Sequence, residues 1–77
     1  MEVNDLKKQY NIILGRMKKG MKCCKELDIT KKEDKVRLER YTDKIIELLD
    51  EGDKILFKIE QHEIRITANE VNNGFEI

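Results

Sequence analysis

Proline is absent from this chain of 77 residues, and glycine occurs only four times. There is no tryptophan, and aromatic residues make up 5 % of the sequence, whereas charged residues make up 42 %. So few turn-forming residues disfavour a β-sandwich or a cofactor-binding α/β domain, and this composition is typical of long helices with charged, solvent-exposed faces. We therefore predict a single all-α domain over residues 1–77.

Long apolar runs are also missing. No segment approaches the length needed to cross a membrane, and no apolar stretch follows the N-terminal Met1-Glu2 as it would in a signal peptide. The only two cysteines are adjacent, so they do not form the disulfide framework of a small secreted protein. These absences predict a cytoplasmic protein without membrane contact. The bias towards Lys, Glu, Ile and Asn is typical of low-GC bacteria or their phages, so a phage or mobile-element origin is part of the prediction.

The longest periodic segment runs from residue 31 to 65 and predicts one long helix. Thr30 and Glu33 have the spacing of a capping box, which marks a helix start. Apolar residues then recur at steps of three and four, as on one helical face. Gly52 falls in the same register, which indicates either a close approach of a neighbouring helix or a bend. The face includes Leu38, Tyr41, Ile45, Leu48, Ile55 and Ile59.

Residues 54–67 also fit a second pattern. Apolar residues alternate there with polar ones, as they do in a β-hairpin. Residues 60–63 contain no Gly, Asn or Pro for a tight turn, and Gln and Glu favour helix. We therefore prefer the helix, with the β-hairpin as the alternative.

Two further helices complete the predicted fold. Residues 3–26 show the same periodicity, with Gly20 in the apolar face, and a short turn at 27–30 predicts an antiparallel helical hairpin. Near the C-terminus, Thr67 and Glu70 form a second capping box, and Gly74 supplies a stop. This predicts a short helix at 68–73.

The unequal helix lengths favour a dimer. A helix over 31–65 is longer than one over 3–26, so we expect its C-terminal turns to project beyond its neighbour with apolar residues on two sides. The apolar residues of such an overhang must be buried by another segment or by a second chain. We predict a homodimer that forms a coiled-coil-like four-helix bundle, because two-fold pairing is the commonest assembly. A fold-back at Gly52 into a third helix is the alternative.

A second apolar stripe indicates a partner. Ile46, Phe57 and Ile64 are separated by eleven and seven residues, steps that return to nearly the same side of a helix. One neighbouring helix cannot cover this stripe together with the main one. We interpret these three residues as a partner-binding surface, either for a second copy or for another protein. The alternative is scattered surface hydrophobic residues, which are common.

Charge is unevenly distributed along the chain. Residues 1–25 hold seven Lys or Arg against two Asp or Glu, whereas residues 46–77 hold three against eight. A basic end of the hairpin gives a second hypothesis, nucleic-acid binding by phosphate neutralisation. Against it, the lysines of the first helix are expected all around that helix, and no helix-turn-helix pattern is present. The candidate residues are Lys18, Lys19, Lys22, Lys25, Lys31, Lys32 and Lys35.

Known chemical motifs are missing. Cys23, Cys24 and His62 are the only soft ligands, too few for a structural zinc site. No phosphate-binding loop and no nucleophile motif is present. We therefore predict no catalytic residues, no metal, no cofactor and no enzymatic activity. The favoured function is protein–protein interaction, as a small regulator, adaptor or inhibitor.

Overall fold

The structure, a computed structural model, describes residues 2–77 and contains three helices within that range. They are α1 (Val3–Lys25), α2 (Lys32–Glu60) and α3 (Ala68–Asn73), and no residue of the described range forms a strand. The predicted all-α helical hairpin with a short C-terminal helix is therefore confirmed, and the β-hairpin alternative is wrong. The molecule is elongated, with extents of 48 × 18 × 17 Å.

Two glycines fix how α1 and α2 pack. A Cβ added to Gly20 would lie 3.1 Å from Cγ1 of Ile45, and one added to Gly52 would lie 3.4 Å from Cε1 of Tyr10. Small residues at these points let the backbones approach closely. The helix α2 runs through Gly52 without interruption, so the predicted bend is absent, and this buried glycine faces Tyr10 of α1.

The core occupies one end of the hairpin. Its α2 members lie in the C-terminal half of that helix, and its α1 members in the N-terminal part. No residue between positions 18 and 47 is fully buried, so the loop end is a two-helix structure with a half-covered seam. The buried hydrophobic residues are Leu6, Tyr10, Ile13, Leu14, Met17, Leu48, Ile55, Ile59 and Phe75.

The connection between the long helices differs from the predicted one. Asp28 accepts hydrogen bonds from the Thr30 backbone N–H at 3.0 Å and from the Thr30 hydroxyl at 2.6 Å. Thr30 is thus part of an Asx turn and does not cap α2, whose N-cap is Lys31 without a side-chain bond. The predicted capping box with Glu33 is therefore wrong, and the Asp34 carboxylate instead accepts the Asp28 N–H at 2.9 Å.

The overhang lies at the opposite end from the predicted one. The glycine contacts set a register in which Lys25, the last residue of α1, lies opposite Arg40 of α2. Residues 32–39 therefore extend past α1 at the loop end. At the other end the two helices finish nearly level, because α2 ends at Glu60 and not at the predicted Arg65.

The C-terminal segment folds back onto the end that holds the core. The predicted capping box of α3 is confirmed, with the Glu70 N–H 3.2 Å from the Thr67 hydroxyl and the Thr67 N–H 3.0 Å from the Glu70 carboxylate. Gly74 ends the helix at φ 91°, a conformation that favours glycine. Phe75 then enters the core between the long helices and is 6 % exposed.

The glycines of α1 provide a test of this packing. A Cβ at Gly15 meets nothing within 4 Å, whereas one at Gly20 meets Ile45. Gly15→Ala should raise the free energy of unfolding by about 1 kcal/mol through helix propensity alone. Gly20→Ala should give a smaller gain because Ile45 must shift, and equal gains in urea denaturation would contradict the close approach.

Candidate protein-binding surface

The uncovered apolar residues of α2 lie mainly along one side of the helix. Ile46 is 58 % exposed, Leu49 is 52 % exposed and Phe57 is 62 % exposed. At about 100° per residue the three fall within a quarter-turn of one another. Together with Met21 of α1, also exposed, they are called here the open face.

The open face continues a groove that the C-terminal segment partly fills. Leu14 and Met21 are seven residues apart on α1 and share one side of that helix. Leu14 is buried, and a Cβ on Gly74 would lie 3.6 Å from it. On α2, Leu56 is packed against the core, while Leu49, seven residues earlier, is exposed. The groove is therefore closed at the core end and open towards the loop.

Ile64 does not belong to this surface in the folded chain. It lies four residues beyond the end of α2, is half-buried and packs against the core. Its spacing places it beside Ile46 and Phe57 only on a helix that continues to residue 65, and α2 ends at Glu60. The structure keeps Ile46 and Phe57 on one helix side and separates Ile64 from them.

The lysines of α1 also have an unexpected arrangement. Lys18, Lys19, Lys22 and Lys25 fall within an arc of about 120° on α1, on the side that faces away from α2, and all are exposed. The expectation that they lie all around the helix is therefore wrong, because the seam takes the other half of α1. Lys31, Lys32 and Lys35 are exposed at the same end of the hairpin.

Sequence reasoning missed the site that holds the C-terminal segment. The side-chain amide of Asn11 donates to the Phe75 carbonyl at 2.8 Å and accepts the Phe75 N–H at 2.7 Å. The Tyr10 hydroxyl donates to the Val71 carbonyl at 2.6 Å. The rings of Tyr10 and Phe75 meet edge to face with centroids 5.5 Å apart. An asparagine inside a helix has poor helix propensity, and that was the one available signal.

Two groups have pKa values shifted by this architecture. Burial raises the pKa of the Tyr10 hydroxyl, and the negative charge of Asp53 raises it further. The hydrogen bonds from Thr30, the hydroxyl first and the backbone N–H second, lower the pKa of the exposed Asp28 carboxyl. Both shifts follow from structural contacts.

The soft ligands of the sequence do not form a metal site within the described residues. Within residues 2–77 no charged side chain is buried, and no three His, Cys, Asp or Glu residues are grouped to hold a metal ion. Cys23 and Cys24 are half-buried free thiols, and His62 is exposed in the turn after α2. The two surface depressions, near Glu63 and near Leu38, are open to solvent.

The fold and this surface define a class: a small α-helical hairpin that is closed at one end by its own C-terminal segment and carries an apolar face beside it. No family model, no curated protein and no solved structure matches this chain. No helix within residues 2–77 combines the length and apolar character that crossing a membrane requires.

The ionisation of Tyr10 tests the geometry of the closed end. In a Tyr41→Phe chain Tyr10 is the only tyrosine, and its near-ultraviolet absorbance should titrate above the ordinary pKa of about 10. Asp53→Asn should lower the midpoint part of the way, since burial remains. Because the folded pKa is raised, the corresponding stability is present below the unfolded pKa and is lost as the pH rises through the folded one. A midpoint at the ordinary value would contradict the packing.

Proposed function

We propose that this chain is a non-enzymatic protein-binding module that acts through the open face, first in a homodimer and also towards another protein. The exposure of Ile46, Leu49 and Phe57 on one side of α2 carries this proposal, although Phe57 lies roughly 12 to 16 Å further along the helix axis than the other two. Clustered apolar side chains on a small monomer mark an interaction surface more often than scattered ones do. Regulator, adaptor or inhibitor are the roles that fit such a module, in a reducing cytoplasm and with a phage or mobile-element origin.

The shape of the open face favours a helical partner. It is a stripe along α2 with Met21 across the seam, and the adjoining part of the same groove already accepts the chain's own C-terminal segment. Partner helices bind such grooves through apolar residues spaced three, four and seven apart. A second hairpin provides a surface of this kind and would complete a four-helix bundle.

Phe57→Asp is the direct test of the open face. It should weaken self-association by roughly 30-fold or more, the ratio that corresponds to about 2 kcal/mol for an aromatic hot spot. Sedimentation equilibrium measures this, and circular dichroism should show unchanged helicity because Phe57 is exposed.

Ile12→Asp is the matched control. Ile12 is 57 % exposed, close to the exposure of Phe57, but lies on α1 away from the open face. The control should associate like the wild type. A wild-type chain that stays monomeric at tens of micromolar, or equal losses in both variants, would contradict the dimer.

Nucleic-acid binding is the second candidate function, and the lysine arrangement of α1 favours it. The helix Val3–Lys25 carries seven Lys or Arg against one Asp, and the lysines share its outward side. A row of exposed cations along one helix side neutralises phosphates without reading sequence.

The two candidates are separated by a charge-matched comparison. Changing Lys18, Lys22 and Lys25 together to Gln should reduce retention on heparin and flatten its salt dependence, because fewer counterions are released. Changing Lys44, Lys54 and Lys58 on α2 removes the same charge from another surface and should have less effect. Equal losses of heparin retention in the two triple variants would indicate attraction by net charge alone and would contradict a nucleic-acid site on α1.

A further inference from the structure

The end of α2 is a place where local sequence and structure disagree. Residues 61–65 include Gln61, Glu63 and Arg65, which are good helix formers, and contain neither glycine nor proline. The chain nevertheless leaves the helix at Glu60 and turns, with Glu63 at φ 61°. A non-glycine residue in this left-handed region is uncommon and strained. The turn therefore depends on contacts made elsewhere.

Those contacts are the attachment of the C-terminal segment. Phe75 is its one fully buried residue, and α3 itself buries none. Ile64 and Ile66 add partly buried contacts in the linker. Continuing α2 to residue 65 would carry the segment away from its site. Phe75 can therefore dock in the groove of its own chain only when residue 63 is not helical.

The site on α1 recognises features that any copy of the segment presents. Asn11 pairs with both backbone groups of Phe75, and the Tyr10 hydroxyl binds the backbone carbonyl of Val71. The aromatic ring is met by the edge of Tyr10 and by Lys7, whose Nζ lies 5.6 Å from the ring centroid. None of these interactions requires the segment to come from the same chain.

We infer that the groove formed by Tyr10 and Asn11 is a binding site for residues 71–75 of a second copy of this chain, exchanged between two molecules when α2 extends through residue 65. Exchange keeps every contact between segment and groove and removes the strained conformation of Glu63. It costs the association of two chains and the partly buried contacts of Ile64 and Ile66, so it is favoured only at high chain concentration.

The extended form also accounts for the stripe that the sequence predicts. On a helix that continues to residue 65, Ile64 lies seven residues after Phe57 and returns to its side, where Ile46 also lies. The three side chains are then exposed together next to the exchanged segments. The inference therefore rests on the proposed self-association and deepens it by naming the exchanged part.

Complementation between two full-length variants tests the exchange. Phe75→Ala has an intact groove and a defective segment, whereas Asn11→Ala has a defective groove and an intact segment. Neither variant alone can place an intact segment in an intact groove, but a heterodimer of the two variants contains one such pairing. The two chains are unfolded and refolded together, and native mass spectrometry separates the heterodimer from both homodimers by mass.

We expect about tenfold more heterodimer than random mixing would give. This ratio corresponds to regaining one modest set of interactions between a segment and a groove. Heterodimer at the random-mixing level would overturn the exchange. Circular dichroism of each variant checks folding, and Phe75→Leu replaces Phe75→Ala if the latter loses helicity. The mixture is then repeated with Phe57→Asp in both chains, which removes the open-face contact. Heterodimer that is still enriched in that mixture reports segment exchange alone, and so distinguishes the exchange from the proposed open-face contact.

Glu63→Gly supplies an independent measurement on the otherwise unchanged chain. Glycine accepts a positive φ and disfavours helix, so it stabilises the closed form on both counts. It should weaken dimerisation roughly tenfold, in line with the penalty for an L-residue in the left-handed region. Unchanged or stronger dimerisation of Glu63→Gly would overturn the hinge at this position.

Discussion

The side chain of Tyr10 joins α1 to α2, to α3 and to the C-terminal segment. Its ring lies against Gly52 of α2, its edge meets Phe75, and its hydroxyl donates to the carbonyl of Val71 within α3. The ring is 3 % exposed, so these contacts exclude water from the middle of a very small core. A Cβ at position 52 would already be in van der Waals contact with this ring at 3.4 Å, so little space remains there for a longer side chain.

This arrangement leaves the molecule uneven from end to end. Three layers of chain surround the core at the end where Phe75 docks, whereas two helices alone form the loop end. The excess of apolar surface on α2 and Met21 follows from that difference, since a pair of helices covers one seam only. Charge is divided in the same uneven way, with a lysine-rich outward side on α1 and most acidic residues on α2 and beyond. The open face depends on this lack of cover, whereas nucleic-acid binding depends on the lysine-rich side and the exchange of segments on the end where Phe75 docks.

Much of the fold could be predicted because it depends on local rules. Periodicity located α1 and α2, and the spacing of Thr67, Glu70 and Gly74 placed α3 correctly at both ends. The capping box at Thr30 did not form because Thr30 belongs to the Asx turn with Asp28, and the N-cap position of α2 falls one residue later, at Lys31. The candidate site was predicted in part: Ile46 and Phe57 are exposed on one side, but Ile64 is not with them. The site at Asn11 was missed because its partner lies sixty-four residues away in sequence.

The sequence alone determined the class of structure, the two long amphipathic helices, the start and stop of α3 and the small residues where the helices meet. These properties depend on backbone propensities and on periodic burial, which act over a few residues at a time. Tertiary structure decided where α2 ends, which end of the hairpin holds the core and which apolar residues remain exposed. The buried end is the one where Phe75 docks on Tyr10 and Asn11, a contact between residues more than sixty positions apart that local propensities do not encode.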